Sequence, residues 1–235
     1  MNRGFLYGDG FFETIRVFDN QIPLIEFHIN RIQDALEIYQ LEPTFNIDEN
    51  FITSLKSRPN ELIRINFFRS GKGKYGPETD ELAFDYSLEE YNAPFFLPTQ
   101  LDLVNDITKA PHINGKIGLY PQSKPIEDWL SVKSLSSIFY VLAAKYKVAN
   151  NLDHLIIQNK DQFVCEELVS NLLLFDGEQF IIPSIKNGGI NGVTQRFIIR
   201  NYGFQVFEKD ITFEHVLGSK RIYLMKGSTG ISRVK

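Results

Sequence analysis

The stretch from Lys109 to Pro125 constrains the fold of this 235-residue chain more than any other. It carries Pro111, Gly115, Gly118, Pro121 and Pro125 and shows little periodicity. Prolines and glycines at that density interrupt helices and strands, so the segment reads as a linker between two lobes. The expected division is a small α/β lobe over residues 1–110, a linker over 111–125 and a larger strand-rich lobe over 126–235.

Before the linker, Phe11 to Val17 and Gln21 to Ile25 read as strands joined at Phe18-Asp19-Asn20. Phe27, Ile32, Ala35, Leu36 and Tyr39 then share one face of a helix spanning Glu26 to Leu41. Phe45 to Leu55 reads as a second helix. Leu62 to Phe68, Leu82 to Tyr91 and Leu101 to Asp106 read as strands. Between them, Ser70 to Pro77 is too glycine-rich for anything but a loop, and is expected to act as a mobile lid with Lys72, Lys74 and Tyr75.

After the linker, apolar spacing predicts a helix over Val132 to Ala149, with Lys133 at its opening. Short strands follow at Leu155–Gln158, Gln162–Glu166, Asn171–Phe175 and Gln179–Ile182, a helix from Gly192 to Asn201, and a late strand at Arg221–Met225. The class is α+β, a mixed lobe followed by a strand-rich one.

Charge and cysteine usage narrow the function. Twenty-five basic against 29 acidic residues leave no basic block, so nucleic acid is not an expected partner. The lone Cys165 cannot form an internal disulfide, which suits a reducing cytoplasm. No apolar run is long enough for a membrane span, and the opening residues do not read as a signal peptide. The four histidines lack ligand spacing, so no metal is expected. Neither a Gly-x-Ser-x-Gly elbow nor Walker spacing occurs.

Several residues have chemical potential. Lys133 has apolar or small neighbours, whose desolvation favours a neutral, nucleophilic amine. Glu166 ends a strand beside Glu167. Arg31 lies one turn after His28. Gly188 to Thr194 is a glycine-rich turn opening a helix, able to present backbone N–H groups to a phosphate. Gly227-Ser228-Thr229-Gly230 is a second possible cradle.

In order along the chain, these segments resemble the class IV aminotransferases, the fold-type IV pyridoxal-phosphate enzymes. The matching segments are Arg3–Arg16, Phe27–Ile32 with its His-x-x-Arg, Lys133–Ser137, Glu166–Asn171 as Glu-x-x-x-Ser-Asn, and Gly189–Thr194. Lys133 and Glu166 stand 33 residues apart, as the family requires.

The resemblance implies a two-lobed D-amino-acid-aminotransferase-like fold with a strand-rich pseudo-barrel lobe. It implies Lys133 as the catalytic residue and Schiff-base lysine, and Glu166 as the partner of the pyridine nitrogen. Arg31, Val193, Thr194 and Ser228 (or Thr229) would bind the phosphate. It further implies a small amine substrate and a homodimer with sites near the subunit interface. Gly189–Phe197 and Arg31–Ala35 are nearest the lyase branch, which forms 4-aminobenzoate and pyruvate from 4-amino-4-deoxychorismate. Transamination of branched-chain L-amino acids or D-amino acids is the alternative, and a catalytically idle binding protein the second.

Overall fold

A computed structural model describes residues 2–234; Met1 and Lys235, the outer bounds of the expected lobes, lie outside the described residues. The chain forms two compact units whose boundaries differ from those expected. The first runs to Ala93 and also takes in Val132–Ser137. The second comprises Pro94–Ser131 and the chain from Ile138 onward.

In the first unit a short helix α1 (Arg3–Tyr7) precedes β1 (Gly10–Val17), α2 (Ile25–Tyr39), α3 (Glu49–Ser54), β2 (Glu61–Arg69) and β3 (Leu82–Glu90). The three strands form an antiparallel sheet in the order β1-β2-β3. Alternation sends Phe11, Ile15 and Val17 of β1 and Ile63, Ile65 and Phe67 of β2 into one core. The rings of Phe11 and Phe67 stack there at 5.0 Å. Helix α2 covers that face with a buried stripe of His28, Arg31, Ile32 and Ala35, the three-and-four spacing of one helix face.

One sequence expectation fails in this unit. Gln21 to Ile25 is not a strand: Phe18 and Gln21 form a single bridge, and α2 starts at Ile25. Positive φ at Asp19 and Asn20 closes the turn so tightly that the chain reverses directly into the helix. At the Ser70–Pro77 loop the buried Arg3 donates Nη1 hydrogen bonds to the carbonyls of Gly73 (2.9 Å) and Lys74 (2.8 Å).

The second unit contains α4 (Leu103–Asp106), β4 (His112–Ile113), β5 (Ile117–Leu119), α5 (Ile138–Ala149), β6 (His154–Gln158), β7 (Val164–Glu167), β8 (Asn171–Phe175), β9 (Phe180–Pro183), α6 (Val193–Tyr202), β10 (Val206–Lys209), α7 (Phe213–Gly218), β11 (Arg221–Lys226) and β12 (Gly230–Val234). Six strands form one sheet in the order β10-β9-β8-β11-β12-β4, and three form another, β5-β6-β7. β8 is buried at all five positions, and a near-continuous apolar run of that kind marks a strand covered on both faces.

The expected linker therefore belongs inside the second unit, where its prolines and glycines punctuate β4 and β5. Leu101–Asp106, expected as a strand, forms α4, because the Asp102 carboxylate caps the Asn105 N–H. Among the described residues no helix is long and apolar enough to cross a membrane.

Candidate active site

Lys133 does not open a helix. Residues 132–137 form a bent segment bridged to β1, where Lys133 O accepts from Phe12 N at 2.7 Å and Leu135 N donates to Gly10 O at 3.0 Å. Serine side chains keep the helix from starting earlier. Ser134 Oγ accepts from Ser136 N at 3.0 Å, and Ser137 Oγ donates to Ser134 O at 2.6 Å. Tyr39 OH donates to Ser134 Oγ at 2.7 Å, anchoring the segment to the end of α2. Lys133 is half-buried, its Nζ 4.8 Å from the centre of the Phe12 ring.

Within the same unit lies a buried charge cluster. Glu13 occupies a core-facing position of β1 and is met by two residues of α2. His28 Nδ1 is 2.7 Å from Glu13 Oε1, Arg31 Nε is 3.0 Å from Oε2, and Arg31 Nη2 also contacts Oε1. Burial pushes the Glu13 carboxyl up, but the Arg31 charge and the His28 contact outweigh it and hold its pKa at about 2. His28 is lowered by burial against the pull of Glu13, and the Arg31 and Lys133 charges add to the fall. Arg31, expected at the phosphate, thus has two nitrogens committed to Glu13, leaving Nη1 outside that pair. Glu13 lay inside the signature stretch without an assigned role; an acid between Phe11 and Ile15 on an apolar strand face was its signal.

In the second unit the adjacent acids Glu166 and Glu167 part company. Glu167 serves the chain: its Oε2 accepts from Val169 N (3.0 Å) and Ser170 Oγ (2.5 Å), closing the turn from β7 to β8. Glu166 is 3% exposed and meets other partners. Its Oε1 accepts from Lys124 Nζ and Tyr140 OH, each at 2.7 Å, and its Oε2 from Ile190 N at 2.9 Å. Lys124 and Tyr140 were not identified from sequence.

The Gly188–Thr194 segment is built for close approach. A Cβ on Gly189 would stand 2.5 Å from Cys165 O, and one on Gly192 would stand 1.8 Å from Asn171 Oδ1. Asn171 Nδ2 donates to Ile190 O at 2.7 Å and fixes the turn. Gly192 then caps α6 without a side chain, leaving its first-turn N–H groups to other acceptors. Thr194 Oγ1 and Ser228 Oγ are both buried and lack a hydrogen-bond partner among the described residues. Buried hydroxyls are almost always bonded, so these two, like the buried Tyr223 OH that also lacks a partner among the described residues, point to a missing hydrogen-bond partner.

Comparison with known proteins agrees with these features. The model of amino-transferase class IV matches residues 10–235. The chain belongs to the class IV aminotransferase family. It is 28% identical over 216 residues to the aminodeoxychorismate lyase of Bacillus subtilis, covering 85% of this chain and 67% of that protein. It is 29% identical over 206 residues to the D-alanine aminotransferase of Staphylococcus haemolyticus, covering 84% and 67%. Its fold matches the branched-chain amino acid aminotransferase of Escherichia coli with a TM-score of 0.82 at 16% identity, covering 100% of this chain and 79% of that one.

The chain is thus an enzyme of a pyridoxal-phosphate-dependent family, with the expected mixed α+β fold. Its own residues fit that cofactor. The Thr194 and Ser228 orphans and the uncapped N-terminus of α6 suit a phosphate, and Glu166 Oε2 retains a lone pair for a ring N–H donor.

Proposed function

We propose that this enzyme binds pyridoxal phosphate and converts 4-amino-4-deoxychorismate to 4-aminobenzoate and pyruvate. The cofactor part rests on one observation above others, the buried hydroxyls of Thr194 and Ser228, which lack a hydrogen-bond partner among the described residues. The lyase part is supported by the likeness to the B. subtilis enzyme and by Gly189–Phe197 and Arg31–Ala35.

When bound, the cofactor supplies an electron sink for the carbanion formed at the substrate's amine-bearing carbon. With the cofactor bound, the Lys133 amine would hold it and, once the substrate amine is in place, would take the proton from that carbon. The ether bond to the ring then breaks, the enolpyruvate takes up a proton to become pyruvate, and aromatisation drives the reaction forward. Glu166 Oε2 accepts the hydrogen bond of the ring nitrogen. Thr194, Ser228 and the Val193 and Thr194 N–H groups would take the phosphate charge, and the family resemblance would add Arg31. We read the protein as a cytoplasmic homodimer, a reading supported by family habit and by the lone cysteine.

Transamination of D-amino acids or branched-chain L-amino acids is the second reading, supported by the S. haemolyticus relative. A side-by-side assay of the cofactor-loaded enzyme separates the two. With 4-amino-4-deoxychorismate it should yield equimolar 4-aminobenzoate and pyruvate, and with a panel of L- and D-amino acids little keto acid. Keto acids without 4-aminobenzoate would establish the transaminase instead.

A further inference from the structure

Lys124 lies between Ser123 and Pro125 in a stretch whose composition suggested only a linker, yet its side chain is fully buried. Its backbone N–H donates to Gln158 O at 2.8 Å, which lays this stretch along the end of β6. From there Nζ reaches Glu166 Oε1 at 2.7 Å, with Leu130 O at 3.5 Å and the Tyr140 ring centre at 5.3 Å. An ammonium buried without a partner costs several kcal/mol, so the charge at this position needs the carboxylate.

We propose that Lys124 is a positioning residue for Glu166, fixing the carboxylate by Oε1 so that Oε2 alone is offered to the pyridine nitrogen, and weakening that nitrogen as a base. The proposal rests on the pyridoxal-phosphate reading above. Three donors lock the carboxylate: Lys124 and Tyr140 on Oε1, and Ile190 N on Oε2. An ionised carboxylate has about four lone-pair sites. Only Oε2 keeps one that is not opposed by an ammonium.

The charge consequence follows from the same geometry. A lone carboxylate favours a protonated ring nitrogen; a carboxylate already paired with an ammonium favours it less. Among the described residues, Tyr140 and Cys165 are titratable groups that also face Glu166. Burial and the nearby carboxylate push Tyr140 well above its ordinary value and Cys165 to about 12, so both keep their protons at working pH. Lys124 therefore sets the charge that Glu166 presents.

The test loads wild type, Lys124→Met, Lys124→Arg and Tyr140→Phe with pyridoxal phosphate carrying 15N in its ring. The 15N shift is followed against pH. Lys124→Met should raise the midpoint of ring-nitrogen titration by about one unit or more. Lys124→Arg and Tyr140→Phe, which keep the cation, should leave it near the wild-type value. An unchanged midpoint in folded Lys124→Met would overturn the proposal. So would a rise of similar size in Tyr140→Phe or Lys124→Arg, and these two decide the matter where Lys124→Met does not fold. Wild type that takes up no labelled cofactor would instead defeat the pyridoxal-phosphate reading.

Discussion

The Arg31 guanidinium and the Glu13 carboxylate form a buried two-point pair between α2 and β1, with Nε 3.0 Å from Oε2 and Nη2 against Oε1. His28 completes the shell of the carboxylate at 2.7 Å. The arrangement fixes the guanidinium before any anion arrives.

Because the folded pKa of Glu13 lies at about 2 and the ordinary value is 4.5, the unfolded chain binds the proton more tightly. The stability this pair contributes is present above about pH 5 and is lost as pH falls toward 2, a change on the order of 3 kcal/mol. Urea unfolding across that range should show the loss. In Glu13→Gln the acid-dependent loss should shrink, and stability at neutral pH should drop by about 3–5 kcal/mol, because Arg31 is left buried without its carboxylate.

Thr194→Val separates cofactor binding from folding. The hydroxyl it removes has no partner among the described residues, so cofactor-free protein should be unchanged or more stable by up to about 1 kcal/mol. The affinity for pyridoxal phosphate should fall about tenfold or more. Ser228→Ala should behave alike. Thermal unfolding without cofactor and titration with it are the two measurements.

Gly192→Ala should lower stability by about 1–3 kcal/mol, since the new Cβ would stand 1.8 Å from Asn171 Oδ1 and displace the side chain that holds Ile190 O. Denaturant midpoints of the variant and of Asn171→Ala should drop together. A fully stable Gly192→Ala would show that the turn is looser than its contacts indicate.

Much of this was legible in the sequence, because most elements depend on local pattern. Alternation marked β2, and three-and-four spacing marked α2. The family resemblance singled out Glu166 through Glu-x-x-x-Ser-Asn, and the neighbouring Glu167 carboxylate closes a turn. What escaped depended on contacts distant in the chain. Val132 to Ser137 has helical apolar spacing, but β1 offers it backbone partners and its serines bond locally. Lys124 looked like linker because nothing near it in sequence betrays that Glu166, 42 residues on, neutralises it. Glu13 was hidden in the same way, its partners lying 15 and 18 residues away.

The proposed homodimer can be tested by light scattering at micromolar concentration. The cofactor-loaded protein should scatter with twice the mass of one chain. A monomer mass for a folded, loaded sample would contradict the assembly.

Lys133 is proposed to carry the cofactor. Borohydride reduction of the loaded enzyme followed by peptide mapping should give a single modified peptide containing Lys133, and Lys133→Ala should yield none and lose turnover. Label on Lys116, Lys124 or Lys226 in place of Lys133 would contradict it.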